Sequence, residues 1–129
     1  MDIQEGRSLA RSYVDEALSL VDAKRVALDD STPLPCDDAN QLKEGEGVAK
    51  LFVGGELTKL DGRAAVLALE DRLPKEGWRV AISADDSANP KMVTLRKDGF
   101  TLLASGDQAH SQIAITVTSP CLSRPASGA

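Results

Sequence analysis

The apolar residues of this chain change their period along its length, and each change marks an element. From Ile3 to about Ala23, the residues Ala10, Tyr13, Val14, Ala17 and Val21 fall at helical spacing, the stripe of an amphipathic helix. Leu9, Leu18 and Leu20 widen the stripe, and Arg7, Arg11, Asp15, Glu16 and Asp22 lie mostly outside it. The pattern then breaks. Asp29-Asp30-Ser31-Thr32-Pro33-Leu34-Pro35 is made of turn formers and prolines and predicts a loop, which continues through Cys36 to about Gly47. Val48 to Leu57 reads as a strand interrupted by Gly54-Gly55, a pair that predicts a bulge or sharp bend.

Asp61 is the expected N-cap of a second helix, Gly62 to about Leu73, because its carboxylate can accept from the free amides of the first turn. Ala65, Val66, Leu69 and Leu73 form the buried face, and Pro74 followed by Lys75-Glu76-Gly77 ends the helix. Trp78, Val80 and Ile82 then alternate as an inward-facing strand. Ala84 to Pro90 is a turn. Lys91 to Lys97 and Phe100 to Ser105 flank Asp98-Gly99, a hairpin signal because a type I′ turn needs positive φ at both central residues. After a polar loop from Gly106 to Ser111, Gln112 to Thr118 is the last strand, with Ile113, Ile115 and Val117 on one face.

The order α-β-α-β-β-β predicts an α+β domain. Its sheet is expected to be mainly antiparallel and four-stranded, with two helices packed on one face. Residues 1–122 form this single domain, and 123–129 a flexible tail.

Composition narrows the function classes. With 129 residues, 42% of them hydrophobic, the chain can bury one real core. A net charge of -5 disfavours nucleic acid, which rewards a basic footprint. It also disfavours direct attachment to an anionic membrane. Tyr13, Phe52, Trp78 and Phe100 are the only aromatic residues, too few for a stacking platform. No stretch is long and apolar enough to span a membrane. The acidic Asp2-Ile3-Gln4-Glu5 start lacks the basic and apolar regions of a signal peptide, which for a secreted protein places the targeting segment ahead of residue 1.

The two cysteines stand beside prolines at opposite ends of the sheet region, Cys36 after Pro35 and Cys121 after Pro120. An even count in these positions predicts one disulfide and an oxidising compartment. Neither cysteine has the C-x-x-C spacing of redox motifs or the close ligand set of a zinc site.

Several patterns occur in a set order: an amphipathic first helix, a Pro35-Cys36-Asp37 segment, Glu76-Gly77-Trp78-Arg79-Val80, Lys97-Asp98-Gly99-Phe100-Thr101-Leu102, and Thr118-Ser119-Pro120-Cys121. In this order, over about Leu9 to Leu122, the chain resembles small secreted or lipid-anchored proteins of actinobacteria, mostly of unknown function. The resemblance implies an extracytoplasmic location. Such proteins are often lipidated on a cysteine near the mature N-terminus; no such cysteine is present in this sequence. The resemblance brings no catalytic residues.

Other candidate chemistry is sparse. His110 is the only histidine, with Ser105, Asp107 and Ser111 nearby. A triad needs an exposed nucleophile and an oxyanion hole, and no G-x-S-x-G is present, so His110 reads as a solvated loop residue, dispensable for activity. Three acidic pairs, Asp29-Asp30, Asp37-Asp38 and Asp85-Asp86, lie in expected loops. Asp85-x-Ser87-x-Asn89 starts like a calcium loop but puts Pro90 at the required glycine and Arg96 at the bidentate glutamate, so the acids read as turn and cap residues. Glu70 and Asp71, among Arg63, Arg72 and Lys75, suit an exposed ion-paired helix face. The glycines of Gly45-Glu46-Gly47 and Val53-Gly54-Gly55-Glu56 lack phosphate-loop spacing. Trp78 is expected to fill the joint between the second helix and the sheet.

The expectation is a non-enzymatic extracytoplasmic domain, secreted or held on the outer face of the membrane, that binds a protein or cell-envelope component. No cofactor or metal is expected, no nucleic-acid partner, and no membrane contact except through a lipid anchor. One sheet face is expected to be partly open to water, lined by Thr94, Arg96, Thr101, Thr116 and Thr118. Two alternatives remain. A small-ligand domain would hold an apolar cavity between helices and sheet, lined by Leu18, Leu69 and Ile115. A small hydrolase would use the acidic loop residues.

Overall fold

A computed structural model describes residues 1–36 and 46–123. Helix α1 (Ile3–Leu20) starts at a capping box: Asp2 Oδ1 accepts from Glu5 N–H at 2.9 Å, and Glu5 Oε1 accepts from Asp2 N–H at 3.3 Å. Asp22, at φ 53°, turns the chain directly into strand β1 (Ala23–Asp30). Strand β2 (Glu46–Gly47) is short, and β3 (Lys50–Leu57) follows. Asp61 caps helix α2 (Gly62–Arg72) as expected, its carboxylate accepting from Ala64 N–H at 2.8 Å. A 3₁₀ turn (Leu73–Glu76) tightens the helix end, and Gly77, at φ 96°, releases the chain into β4 (Arg79–Ser83). Strands β5 (Lys91–Lys97) and β6 (Phe100–Gly106) form the expected hairpin, with Asp98 at φ 50° and Gly99 at φ 83°. Strands β7 (Gln112–Thr118) and β8 (Leu122–Ser123) end the described chain.

The protein is α+β, with two helices and a six-stranded sheet in the order β1-β3-β7-β6-β5-β4, every neighbouring pair antiparallel. The expected four strands become six for two reasons. The segment Ala23–Asp30, read at its ends as helix end and loop and given no element from Lys24 to Leu28, is an edge strand. The order α-β-α-β-β-β also counts three strands after the second helix, although four segments there read as strands, from Trp78, Lys91, Phe100 and Gln112, and all four join the six-stranded sheet as β4 to β7. Ser123, assigned to the tail, pairs with Glu46 in a two-stranded sheet of β2 and β8. Beside that sheet Cys36 and Cys121 form the expected disulfide, with Cα atoms 5.5 Å apart and 85 residues between them in sequence.

Both helices cover the same sheet face. From the sheet they meet Leu51, Val53, Val93, Leu95, Phe100, Leu102, Ala104, Ile113, Ile115 and Val117, all buried. Tyr13 stands edge-on to Trp78 and Phe100, with ring centroids 5.0 and 5.2 Å away, a geometry that sets ring edges against ring faces. Trp78, expected at the joint between the second helix and the sheet, is buried with its ring against Tyr13 of the first helix. Burial first, and the charges of Asp98 and Glu16 after it, push the Tyr13 hydroxyl above the usual phenol range. Gly55 lies in close approach: a Cβ there would stand 2.8 Å from the end of the Leu18 side chain and 3.1 Å from Ala23 Cβ and Ile113 Cγ2, so the packing around it would have to shift.

Two β-bulges redirect side chains. The bend expected at Gly54-Gly55 is absent from β3; the irregularity lies opposite, on β1 between Arg25 and Ala27. A second bulge between Val80 and Ile82 overturns the expected inward run of Trp78, Val80 and Ile82. It inserts Ala81, turns Ile82 out to 66% exposure and turns Ser83 toward α2.

Candidate functional face

Among the described residues no helix covers the second sheet face, and the strand registers lay its side chains out in rows. Arg79, Arg96, Thr101, Thr118 and Lys50 are successive cross-strand partners. The next row is Ile82, Thr94, Leu103, Thr116, Phe52 and Asp29. A third comprises Met92, Ser105, Ala114, Gly54 and Ala27. Thr94, Arg96, Thr101, Thr116 and Thr118 therefore share this face, in two adjacent rows. The sequence reading named none of four exposed apolar side chains on this face, Ile82, Phe52, Met92 and Val26, although Met92 shares the parity of Thr94 and Arg96. Bulges on the two edge strands account for Ile82 and Val26.

Charge is distributed unevenly along the face. Arg79 and Arg96 are direct cross-strand partners, a like-charge pairing that disfavours the folded sheet. Among the described residues neither has a carboxylate within ion-pair distance. With Lys97 and Thr101 they border a depression of about 390 Å³.

At the opposite end, Asp107 and His110 meet, with His110 Nδ1 2.8 Å from Asp107 Oδ1. The pairing with His110 holds the Asp107 carboxyl below the usual carboxylate range. Backbone bonds fix this loop to α2 and β3: Gly62 N–H donates to His110 O at 2.8 Å, Arg63 N–H to Asp107 O at 3.1 Å, and Leu57 N–H to Ser111 O at 2.8 Å. Two amides of the α2 N-terminus are therefore committed to protein carbonyls. Among the described residues no serine is bonded to His110, so the Ser-His-Asp grouping weighed and set aside in the sequence is not assembled. The pair instead borders a depression of about 550 Å³ with Ser105, Gln112, Phe52 and Val26.

The acidic loop residues are engaged locally. Asp30 accepts from Thr32 N–H at 3.0 Å and from Arg7 Nε at 2.5 Å. Burial alone would raise its pKa, but the Thr32 bonds and the Arg7 guanidinium outweigh it and lower the value. Asp85 accepts from Ser87 N–H and Oγ, which lowers its pKa. Asn89 Oδ1 accepts from Gln108 N–H at 2.8 Å. These are turn-fastening bonds. Asp37-Asp38 and Gly45 lie outside the described residues.

Glu70 and its basic neighbours depart from the exposed helical ion pairs expected of them. Lys91 is fully buried on the helix side of β5, its Nζ 3.0 Å from Asp86 Oδ1 and 3.3 Å from Glu70 Oε2. Nζ also donates to Ser83 Oγ at 3.0 Å and to Ala84 O. Arg63 donates to the carbonyls of Asp86 and Ala88, and Arg72 to Leu20 O. Burial alone would lower the Lys91 pKa, yet Asp86 and Glu70 outweigh it and raise it. An ammonium held charged has no lone pair, so Lys91 cannot activate Ser83 at neutral pH. The signal in the sequence was a lysine on the parity of Val93 and Leu95.

Leu18, Leu69 and Ile115 belong to the packed core, not to a cavity between helices and sheet. Glu46 Oε2 lies 3.6 Å from Cys121 Sγ, but the disulfide leaves neither sulfur as a thiolate for a metal. No helix among the described residues is long and apolar enough to cross a membrane. The class defined here is an α+β domain with one packed and one uncovered sheet face. No family model, no curated protein and no solved structure matches the chain.

Proposed function

We propose that this protein is a non-enzymatic binding domain that works outside the cytoplasm and uses the uncovered sheet face to hold a protein or cell-envelope component. The observation that carries the reading is the juxtaposition on one face of exposed Ile82, Phe52 and Met92 with the Arg79–Arg96 pair, which has no carboxylate partner among the described residues. Apolar side chains there gain from being covered, and two opposed guanidiniums gain from an acidic group laid between them. The disulfide fits an oxidising compartment. The experiment is capture from a cell-envelope extract by immobilised protein. An Ile82→Ser/Phe52→Ser variant should keep its fold and lose the captured component. Arg79→Glu/Arg96→Glu should lose it too, and wild-type capture should weaken with salt. Undiminished capture by both variants would refute the reading.

A further inference from the structure

We propose that the depression at the His110 end of the open face is a small-molecule site for a flat, mainly apolar, uncharged ligand carrying one hydroxyl group. Its volume, about 550 Å³, falls within the range of ligand pockets. Ala27, Gly54 and Ala114 form the floor. Side chains this small let a planar molecule lie close to the sheet backbone. Phe52 and Val26 supply apolar walls, and the bulge on β1 accounts for Val26 and Ala27 both bordering the site.

The polar rim specifies the ligand's polar group. Asp107 engages His110 at Nδ1, so in the neutral ring the proton sits on Nδ1 and Nε2 is the acceptor. A ligand hydroxyl can donate to Nε2. An anionic ligand would approach the Asp107 carboxylate, and a cationic one gains only that single half-buried carboxylate, already bonded to imidazole. The loop does not need to be ordered by the ligand, because its three backbone bonds to α2 and β3 already fix it. The site goes beyond macromolecular binding on the same face and rests on that reading only in taking the face as the working surface.

The test uses the purified full chain with 2-naphthol, and naphthalene as the analogue lacking the hydroxyl, followed by ligand fluorescence and by amide shifts. Saturable binding of 2-naphthol is expected with Kd of about 100 µM or tighter, with the largest shifts at Gly54, Ala114 and His110. Naphthalene should bind about three- to tenfold more weakly, the worth of one net hydrogen bond. His110→Ala should erase that difference while leaving the thermal midpoint unchanged. Gly54→Leu should weaken both ligands by about tenfold or more, since a Cβ at Gly54 meets nothing closer than Ala27 Cβ at 3.6 Å and the added side chain occupies the floor. Ala114→Leu is the second filling variant, should the first not fold. The proposal is overturned by no saturation up to about 1 mM, by equal affinity for the two ligands, or by undiminished binding in the folded filling variants. An envelope partner is not needed for any of these outcomes, so failure of this site and failure of macromolecular binding are separately visible.

Discussion

Lys91 shows how a side chain can be legible as a strand residue while the partners that bury it are not. It sits on the inward parity of β5, yet its ammonium is buried among Asp86, Glu70, Ser83 and the Ala84 carbonyl. Lys91→Met should cost about 1–3 kcal/mol in urea unfolding, less than for a fully buried pair because Asp86 is exposed. Adding Glu70→Leu should recover part of that loss, since the carboxylate left without its cation is then gone. The pH dependence has a definite sign. The folded state raises the Lys91 pKa, so the unfolded chain gives up this proton first as pH rises. The contribution is complete below the unfolded lysine value, about 10.4, and disappears as pH passes through the folded value. Urea midpoints between neutral pH and about pH 11 should fall more steeply for wild type than for Lys91→Met; parallel curves would show that Lys91 is not coupled to folding.

At the scale of elements, the disulfide and the mini-sheet fasten the end of β7 to the segment after β1. Replacing both cysteines by serine should cost about 4 kcal/mol, because closing so long a loop removes much of the unfolded chain's freedom. The urea midpoint of the double variant checks this, and an unchanged midpoint would mean that β2–β8 pairing alone holds the ends together. Element type was legible wherever a periodic apolar face meets the core. α1, α2, β7 and the β5–β6 hairpin all have one, and Asp61 and Asp98-Gly99 supplied local signals that no packing overrides. β1 was not legible, because it is an edge strand with hardly any buried side chain, and Lys24, Arg25, Asp29 and Asp30 give it no alternation. The faces of β4 were misread for another reason. A one-residue bulge reverses parity, and nothing in Arg79-Val80-Ala81-Ile82-Ser83 marks where it occurs. The same limit applies to the candidate face. Its threonines followed from parity, whereas Ile82 and Val26 came from bulges and the Asp107–His110 pair from a loop held by backbone bonds.

At the scale of the whole molecule, one sheet separates a packed side from an uncovered one, and neighbouring residues of a single strand can test that division. In β7, Ile115 is fully buried under the helices, while Thr116 points the other way, between Leu103 and Phe52. Ile115→Ala deletes buried methylenes and leaves a cavity, so it should cost about 2–5 kcal/mol. Thr116→Ala removes a half-exposed side chain from a face that no helix among the described residues covers, so its cost should stay within about 0.5 kcal/mol. Urea unfolding of both variants, at several protein concentrations, gives the comparison. A large loss for Thr116→Ala that grows with protein concentration would mean that a second copy covers the face in solution. An unchanged midpoint for Ile115→Ala would mean that the faces of β7 are reversed. A large difference between the two, independent of concentration, is expected of a monomer that keeps one side of its sheet free for binding.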